Sequence, residues 1–441
     1  MVAMLRDNRV VHPSSIGETN MKIRTKALVL AVLSAVSGAS LAESLIVPVE
    51  NRGVFEKPGP LLQAVAADRS NARIDIVGVR ADVVNARNPS IELTLPGGIE
   101  VKSSIKQFEY MESGNEVWVG SIDGFSSAPP VTGRLVPIDD KLDYVIAVRS
   151  GDTVMANIRV AGELFRLIPI DDGLHALVEV DQQKFLPDED EKAYAEMLAA
   201  ALPATKLYEQ EPEVFSVAPK AISTIRIMVA FGPAAAAAVG NEQQAIDLAF
   251  TESNNALAAT NTDIRFQQAG AIQFYTQGET TNYSTMLSRL TNLSDGFYDA
   301  IGGQRNTNTA DMVAYVGPVS TGLCGQAAGI ATSNANAYFI MNPQCLSGNY
   351  TFVHEAGHVV GTRHDNDPTL TPYAYGHGYV MSSINRRTVM AVNNGPCPSC
   401  TRVGAFSSPN YTISGVPIGT ATRNDNNRVW RTRGPTVAAF R

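Results

Sequence analysis

The chain has 441 residues, 44% apolar and 18% charged, with a net charge of −8. That length accommodates two domains, and the composition excludes an intrinsically disordered chain. The acidic balance, with no concentrated basic patch, argues against nucleic acid as a partner.

Residues 21–42 read as a secretory signal. Lys22, Arg24 and Lys26 precede a short apolar run, Ala27 to Val36, and Ser40-Leu41-Ala42 has the small-x-small form of a cleavage site. The run is too short to span a bilayer, and the residue directly after Ala42 is Glu43 rather than a cysteine, so no membrane anchor is expected. Segment 1–20 is either an upstream extension, with Met21 as the start, or an extended n-region.

Residues 43–220 read as a β-rich leading domain. Ile74–Val84, Ile91–Leu95, Ile99–Lys106, Val117–Ile122, Tyr144–Val148, Val154–Val160 and Glu163–Ile168 are strand candidates. Pro96-Gly97-Gly98 and Ser150-Gly151-Asp152 supply turns between neighbours. A helix is expected over Ala193–Leu202, stopping at Pro203, with a proline-bearing linker over Glu209–Pro219. The first 220 residues hold 22 basic and 31 acidic groups, whereas from Ala221 onward there are 13 arginines, no lysine and 12 acids. That contrast fits two separable units, each with its own core.

Residues 221–441 alternate strand and helix. Thr224–Phe231, Ile264–Phe274, Met312–Val316 and Tyr338–Met341 are strand candidates. Helices are expected from an Asn241 cap to about Asn261, over Thr285–Leu293 and over Tyr350–Val360. Such alternation implies an α/β fold with a mostly parallel sheet covered by helices.

The last of these helices carries the chemistry. His354 and His358 lie four residues apart, on one helical face, and can direct two imidazole nitrogens at one point. Gly361 can take the positive φ that ends the helix and returns the chain, so that His364 arrives as a third ligand. Three of the chain's six histidines fall in these positions. Three protein ligands with an open fourth position is the arrangement of catalytic rather than structural zinc. Zinc lowers the pKa of a water it binds to about 7, and Glu355 is placed to take the proton as general base.

The stretch His354–Asp365 resembles the metzincin clan of zinc metallopeptidases, and Asp365 after the third histidine is most similar to the adamalysin/reprolysin branch. The resemblance runs from about Ser223 to Arg441 and points to the secreted bacterial type, with Asn426–Trp430 and Pro435–Phe440 matching its ending. It implies a twisted, mostly parallel sheet, a zinc helix and a methionine turn. Thr388-Val389-Met390-Ala391, 26 positions beyond His364, fits that turn, with Met381 as the competing candidate. Cys324–Ile330 resembles the edge strand that receives an extended substrate, the alternative being a glycine-rich surface loop. A pocket for the residue after the scissile bond is expected between the zinc helix and the chain following Met390, including Val392 to Gly395.

Several further expectations come with the resemblance. The leading domain is expected to be a propeptide, the alternative being a permanent accessory domain. No cysteine precedes Cys324, so a leading-domain thiolate cannot occupy the metal. Latency must come from a segment laid across the edge strand or from a carboxylate, with Asp188–Glu191, Glu209, Glu211 and Glu213 as candidates. The four cysteines allow three pairings. Cys324–Cys345 with Cys397–Cys400 is preferred, since the first pair would tie the edge strand to the segment entering the zinc helix. His377 is read as structural, with a substrate-holding role as the alternative.

The chain is thus expected to be a secreted or periplasmic zinc endopeptidase, monomeric and made as a zymogen. It would act on protein or peptide substrates through Glu355, with zinc on His354, His358 and His364. A zinc-bearing binding or adhesion protein without turnover is the second reading.

Overall fold

The computed structural model describes residues 43–50, 53–124, 135–201, 221–318, 322–393 and 397–441. The expected signal, the whole linker including Glu209, Glu211 and Glu213, and Asn394 and Gly395 lie outside the described residues. No helix among the described residues is long and apolar enough to cross a membrane.

The leading region is built on one large sheet. In chain order its elements are β1 (Glu43–Ser44), β2 (Ile46–Pro48), α1 (Pro60–Ala67), β3 (Asn71–Val79), β4 (Ser90–Leu95), β5 (Ile99–Tyr110), β6 (Glu116–Ile122), β7 (Val136–Pro137), β8 (Tyr144–Ser150), β9 (Thr153–Val160), β10 (Glu163–Pro169), β11 (His175–Val180) and α2 (Glu191–Ala199). Ten of the strands run in the order β1-β4-β5-β6-β8-β9-β10-β11-β3-β2. All pairs are antiparallel except β1 with β4. The β4–β5 hairpin turns where Gly97 and Gly98 take φ of 88° and 79°, a left-handed conformation that glycine adopts without steric cost. Strand β7 lies off this sheet and pairs with Tyr411–Ile413. Helix α1 and strand β11 go beyond the sequence expectation, and β5 runs four residues past Lys106.

The trailing region, the one expected to be catalytic, includes β12 (Ser223–Phe231), α3 (Pro233–Val239), α4 (Glu242–Ala259), β13 (Ile264–Gln268), β14 (Gln273–Phe274), α5 (Tyr283–Thr291), α6 (Ile301–Thr307), β15 (Met312–Val316), β16 (Gly325–Ala327), β17 (Tyr338–Met341), α7 (Thr351–Val360) and α8 (Asn426–Val437). Its sheet runs β13-β12-β15-β17-β16, with β14 also on β12. Only the edge strand β16 is antiparallel, against β17. The segment expected as one strand over 264–274 is two, separated by a turn at Gly270, where φ is 71°. The Asn241 cap forms, its side chain accepting from the Gln244 N–H at 3.0 Å. Both preferred disulfides are present, Cys324–Cys345 and Cys397–Cys400.

The expectation of two separate cores is corrected by the alternation of side chains along the leading sheet. Successive strand residues point to opposite faces. Val117 and Val119 of β6, with Tyr144, Ile146 and Val148 of β8, share one cluster with α4 residues Ala245, Leu248 and Ala249 and with the catalytic sheet. Trp118, Val145 and Ala147, on the opposite face, pack with Leu93, Val154 and Ile158 in a core belonging to the leading region alone. One face of the sheet is therefore part of the catalytic core.

A buried polar network crosses the same boundary. Glu252 of α4 accepts from Gly348 N–H at 2.7 Å, from Asn157 Nδ2 at 3.1 Å and from the Tyr144 hydroxyl at 3.2 Å. Tyr144 and Tyr350 bring their hydroxyls to 2.9 Å. Burial pushes the Glu252 carboxyl upward, and the Arg159 guanidinium opposes that rise. Glu252 is satisfied by these three donors, which is what makes a buried carboxylate tolerable, while Asn157 Oδ1 has no hydrogen-bond partner.

Candidate active site

Every residue of α7 is buried, and the helix ends where the sequence predicts. Gly361 takes φ of 122°, and the N–H groups of Gly361 and Thr362 both return to the Gly357 carbonyl, at 2.8 and 2.9 Å. This reversal brings His364 back over the helix. The Nε2 atoms of His354, His358 and His364 lie 3.1 to 3.2 Å from one another. Three nitrogens at 2.0–2.1 Å from a tetrahedral ion would be separated by about 3.3 Å, so the spacing fits zinc.

The remaining ring nitrogens fix the tautomers. His354 Nδ1–H donates to the Val389 carbonyl at 3.0 Å, and His358 Nδ1–H to the Thr362 carbonyl at 2.9 Å. A carbonyl only accepts, so both Nε2 atoms present lone pairs to the centre. Burial lowers the His358 pKa, which favours the neutral imidazole that a metal requires.

The support beneath the histidines comes from the expected methionine. Ala391 N–H closes a tight turn onto the Thr388 carbonyl at 3.1 Å, and Met390 is fully buried. A methyl group on Gly357 would lie 3.0 Å from the Met390 sulfur, so the bare glycine admits it against α7. Met381 packs elsewhere, with Ile138, Ala259 and Val403. Asp365 accepts from Val392 N–H at 3.0 Å, tying the chain after the turn to the segment carrying His364. The His377 nitrogens face the Thr369 and Arg423 carbonyls, a positional role apart from the histidine centre.

A fourth residue completes the group. Glu189, from the leading region, is fully buried and places Oε1 3.4 Å from His354 Nε2 and 3.2 Å from His358 Nε2, with Oε2 3.1 Å from His364 Nε2. Neither oxygen has a hydrogen-bond partner. Two orphaned carboxylate oxygens facing three imidazole nitrogens, of which those of His354 and His358 present lone pairs, are unfavourable unless a cation lies among them. The four residues form a potential metal-holding group. Glu355 stands beside them, also buried with both oxygens unpartnered. A Cβ on Gly325 of the edge strand would lie 2.5 Å from Glu355 Oε1, so only glycine leaves room for the carboxylate.

Each acid of the 188–191 cluster does something different. Asp188 pairs with Arg402, whose Nη1 donates at 2.9 Å and whose Nη2 donates to the other carboxylate oxygen. Burial would raise the Asp188 carboxyl, but the Arg402 guanidinium holds it at about 2. Asp190 caps α2, accepting from Ala193 N–H at 2.7 Å, and Glu191 opens the first turn. The main chain here follows the edge strand, with Cys324 N–H donating to the Pro187 carbonyl at 2.7 Å and Gly325 N–H to that of Asp188 at 3.2 Å. Arg402, Arg387 and Tyr194 are site residues that the sequence reading missed.

Inward-facing lone pairs on neutral imidazoles, next to a buried carboxylate, place the chain among metallopeptidases. The comparisons agree with that class. A model of reprolysin-like metallo-peptidases of family M12 matches residues 222–407. A peptidyl-Asp metalloendopeptidase of Xanthomonas campestris pv. campestris is 34% identical, over 94% of this chain and 97% of its own length. One of the same name from Stenotrophomonas maltophilia is 35% identical, over 93% and 96%. The chain belongs to the reprolysin-like metallopeptidases of family M12, and it is a metalloendopeptidase acting on protein or peptide substrates.

Proposed function

We propose that the protein is a secreted, zinc-dependent endopeptidase made as a zymogen, and that it cleaves peptide bonds in which aspartate supplies the nitrogen. The convergence of His354, His358, His364 and Glu189 on one point carries the reading. The three histidines would hold zinc throughout, and Glu189 would fill its fourth position until the leading region departs. Zinc would act there as a Lewis acid on the scissile carbonyl and acidify the attacking water.

The remaining work falls to the chain itself. Glu355 takes the proton from the attacking water and delivers it to the departing amine. The edge strand β16 orders the substrate by main-chain hydrogen bonds, using the Cys324 and Gly325 N–H groups that Pro187 and Asp188 engage in this form. The aspartate preference is carried over from the names of the two relatives.

In domain terms, 1–42 is a signal region, 43–220 a propeptide and 221–441 the catalytic domain. Activation is a cut between about Ala204 and Ser223. The two disulfides suit an oxidising compartment outside the cytosol. The test uses Glu355→Ala. This variant should retain one zinc per chain while losing roughly 10²- to 10⁴-fold in kcat, since the ligands remain and the base is gone. Wild-type turnover in the variant, or no effect of a zinc chelator on the wild type, would remove the mechanism.

A further inference from the structure

The leading region makes a second charged contact, separate from the histidine centre. Arg402 holds the Asp188 carboxylate through both terminal nitrogens. Its other partners are neutral carbonyl oxygens, of Asn349 at 3.0 Å and Ala391 at 3.3 Å. Arg387 lies alongside, donating from Nε to the Cys400 carbonyl at 3.1 Å and from Nη1 to the Ala391 carbonyl. The two residues are 3% and 4% exposed. Burial, followed by the neighbouring Arg402 charge, pushes the Arg387 guanidinium well below its ordinary range. Two buried cations thus share one recess, and Asp188 is the acid paired with Arg402 in it.

Such a recess is costly without an anion, because a buried charge whose partner is removed is left uncompensated. Its position gives it a use. Ala391 follows Met390 in the turn, and Asn349 stands two residues before α7, so the recess lies between the turn and the helix that presents the histidines. Asp188 adjoins Glu189, whose carboxylate sits against those histidines. An aspartate side chain therefore occupies this recess one residue from the group at the metal centre.

We infer that Arg402 is the specificity-determining residue of the peptidase: it takes the carboxylate of the substrate aspartate that follows the scissile bond, in the recess that Asp188 fills while the leading region is attached. The inference rests on the peptidyl-Asp reading above. Arg387 adds a second positive charge without taking the carboxylate itself. The guanidinium fork matches a carboxylate with two parallel hydrogen bonds. A substrate asparagine has nearly the same shape but would turn an NH2 donor toward one of those nitrogens and would supply no charge. Losing one acceptor and the charge leaves a buried donor unpaired, which is enough to discriminate strongly between the two side chains.

The test starts from the full chain, activated by limited proteolysis. Quenched peptides differing only in Asp, Asn or Ala after the scissile bond are compared by kcat/KM. The wild type should favour Asp over Asn by on the order of 10²-fold or more. Arg402→Gln should lower kcat/KM for the Asp peptide by at least ~30-fold and bring the Asp/Asn ratio toward one. An unchanged ratio, including a proportionate loss on all peptides, overturns the inference and makes Arg402 a structural clamp. A wild type that does not distinguish Asp from Asn sinks the peptidyl-Asp reading before Arg402 is altered, and the inference with it. Should Arg402→Gln fail to fold, the double variant Asp188→Asn/Arg402→Gln keeps a hydrogen-bonding pair between the leading region and the recess, and the same ratio decides.

Discussion

Tyr194 of the leading region stacks on His364, with ring centroids 4.1 Å apart and planes 14° from parallel. Its hydroxyl donates to Asp367 at 2.9 Å and accepts from the His364 N–H at 3.3 Å. One tyrosine thus covers the third histidine and braces the loop that carries it. Together with Glu189 it lays α2 and the residues before it over the histidine centre, as the proposed zymogen reading requires.

Glu189→Ala should loosen that covering. The unprocessed variant should show peptidase activity above that of the wild-type precursor, about tenfold for each ~1.4 kcal/mol of docking free energy lost. X-ray absorption at the zinc edge gives an independent readout: the intact variant should lose one carboxylate oxygen from the coordination shell. An unchanged shell would exclude Glu189 as a ligand.

Gly325→Ala tests the fit between the edge strand and Glu355, the proposed base. The new methyl group would have to occupy space held by Glu355 Oε1. Displacing a catalytic group by about 1 Å can cost on the order of 10² in rate. The variant should fold, bind zinc and lose activity to that extent. Full activity would mean that Glu355 has room to move without consequence.

His175 predicts acid sensitivity of the precursor. It is fully buried, its Nε2 accepts from the Val154 N–H at 3.1 Å, and burial lowers its pKa to about 4. The unfolded chain binds the proton near pH 6.5, so this contribution to stability is complete above that pH and is lost as pH falls toward 4. The loss amounts to roughly 3 kcal/mol. Urea unfolding of the precursor at pH 7 and pH 4.5 should show a smaller pH difference for His175→Gln than for the wild type. Equal differences would refute the assignment.

Much of the centre was legible in the sequence because its parts are local. The spacing of His354, His358 and His364, with Gly361 between, encodes its own geometry within one turn-and-return of chain. The strands over Met312–Val316 and Tyr338–Met341 were equally plain, being apolar runs of a buried parallel sheet. Helix α8 lies beyond the sequence expectation: Gly434 and Pro435 stand near its end, yet Val429, Trp430 and Val437 bury one face in the main core.

Arg402 was out of reach for a different reason. Its partner Asp188 lies more than 200 positions away, and no periodicity links them. A signal existed in the exclusive use of arginine in the trailing half. Arg305, Arg363, Arg387, Arg402 and Arg433 are all nearly or fully buried there. Arginine tolerates such sites because its planar fork can satisfy several acceptors at once. Among the acids of 188–191, the sequence supplied the cluster, and only the path of the chain along β16 separates the roles of its members.

The alternation along β6 has a consequence for how substitutions should be read. Val117 and Val119 share a cluster with helix α4, while Trp118 between them packs in the leading region's own core. Neighbouring codons in one strand therefore answer to different demands. A change at Trp118 tests whether the leading region can form at all. A change at Val117 or Val119 tests how firmly a formed leading region grips its neighbour, and so, in the proposed zymogen, how readily it would be released.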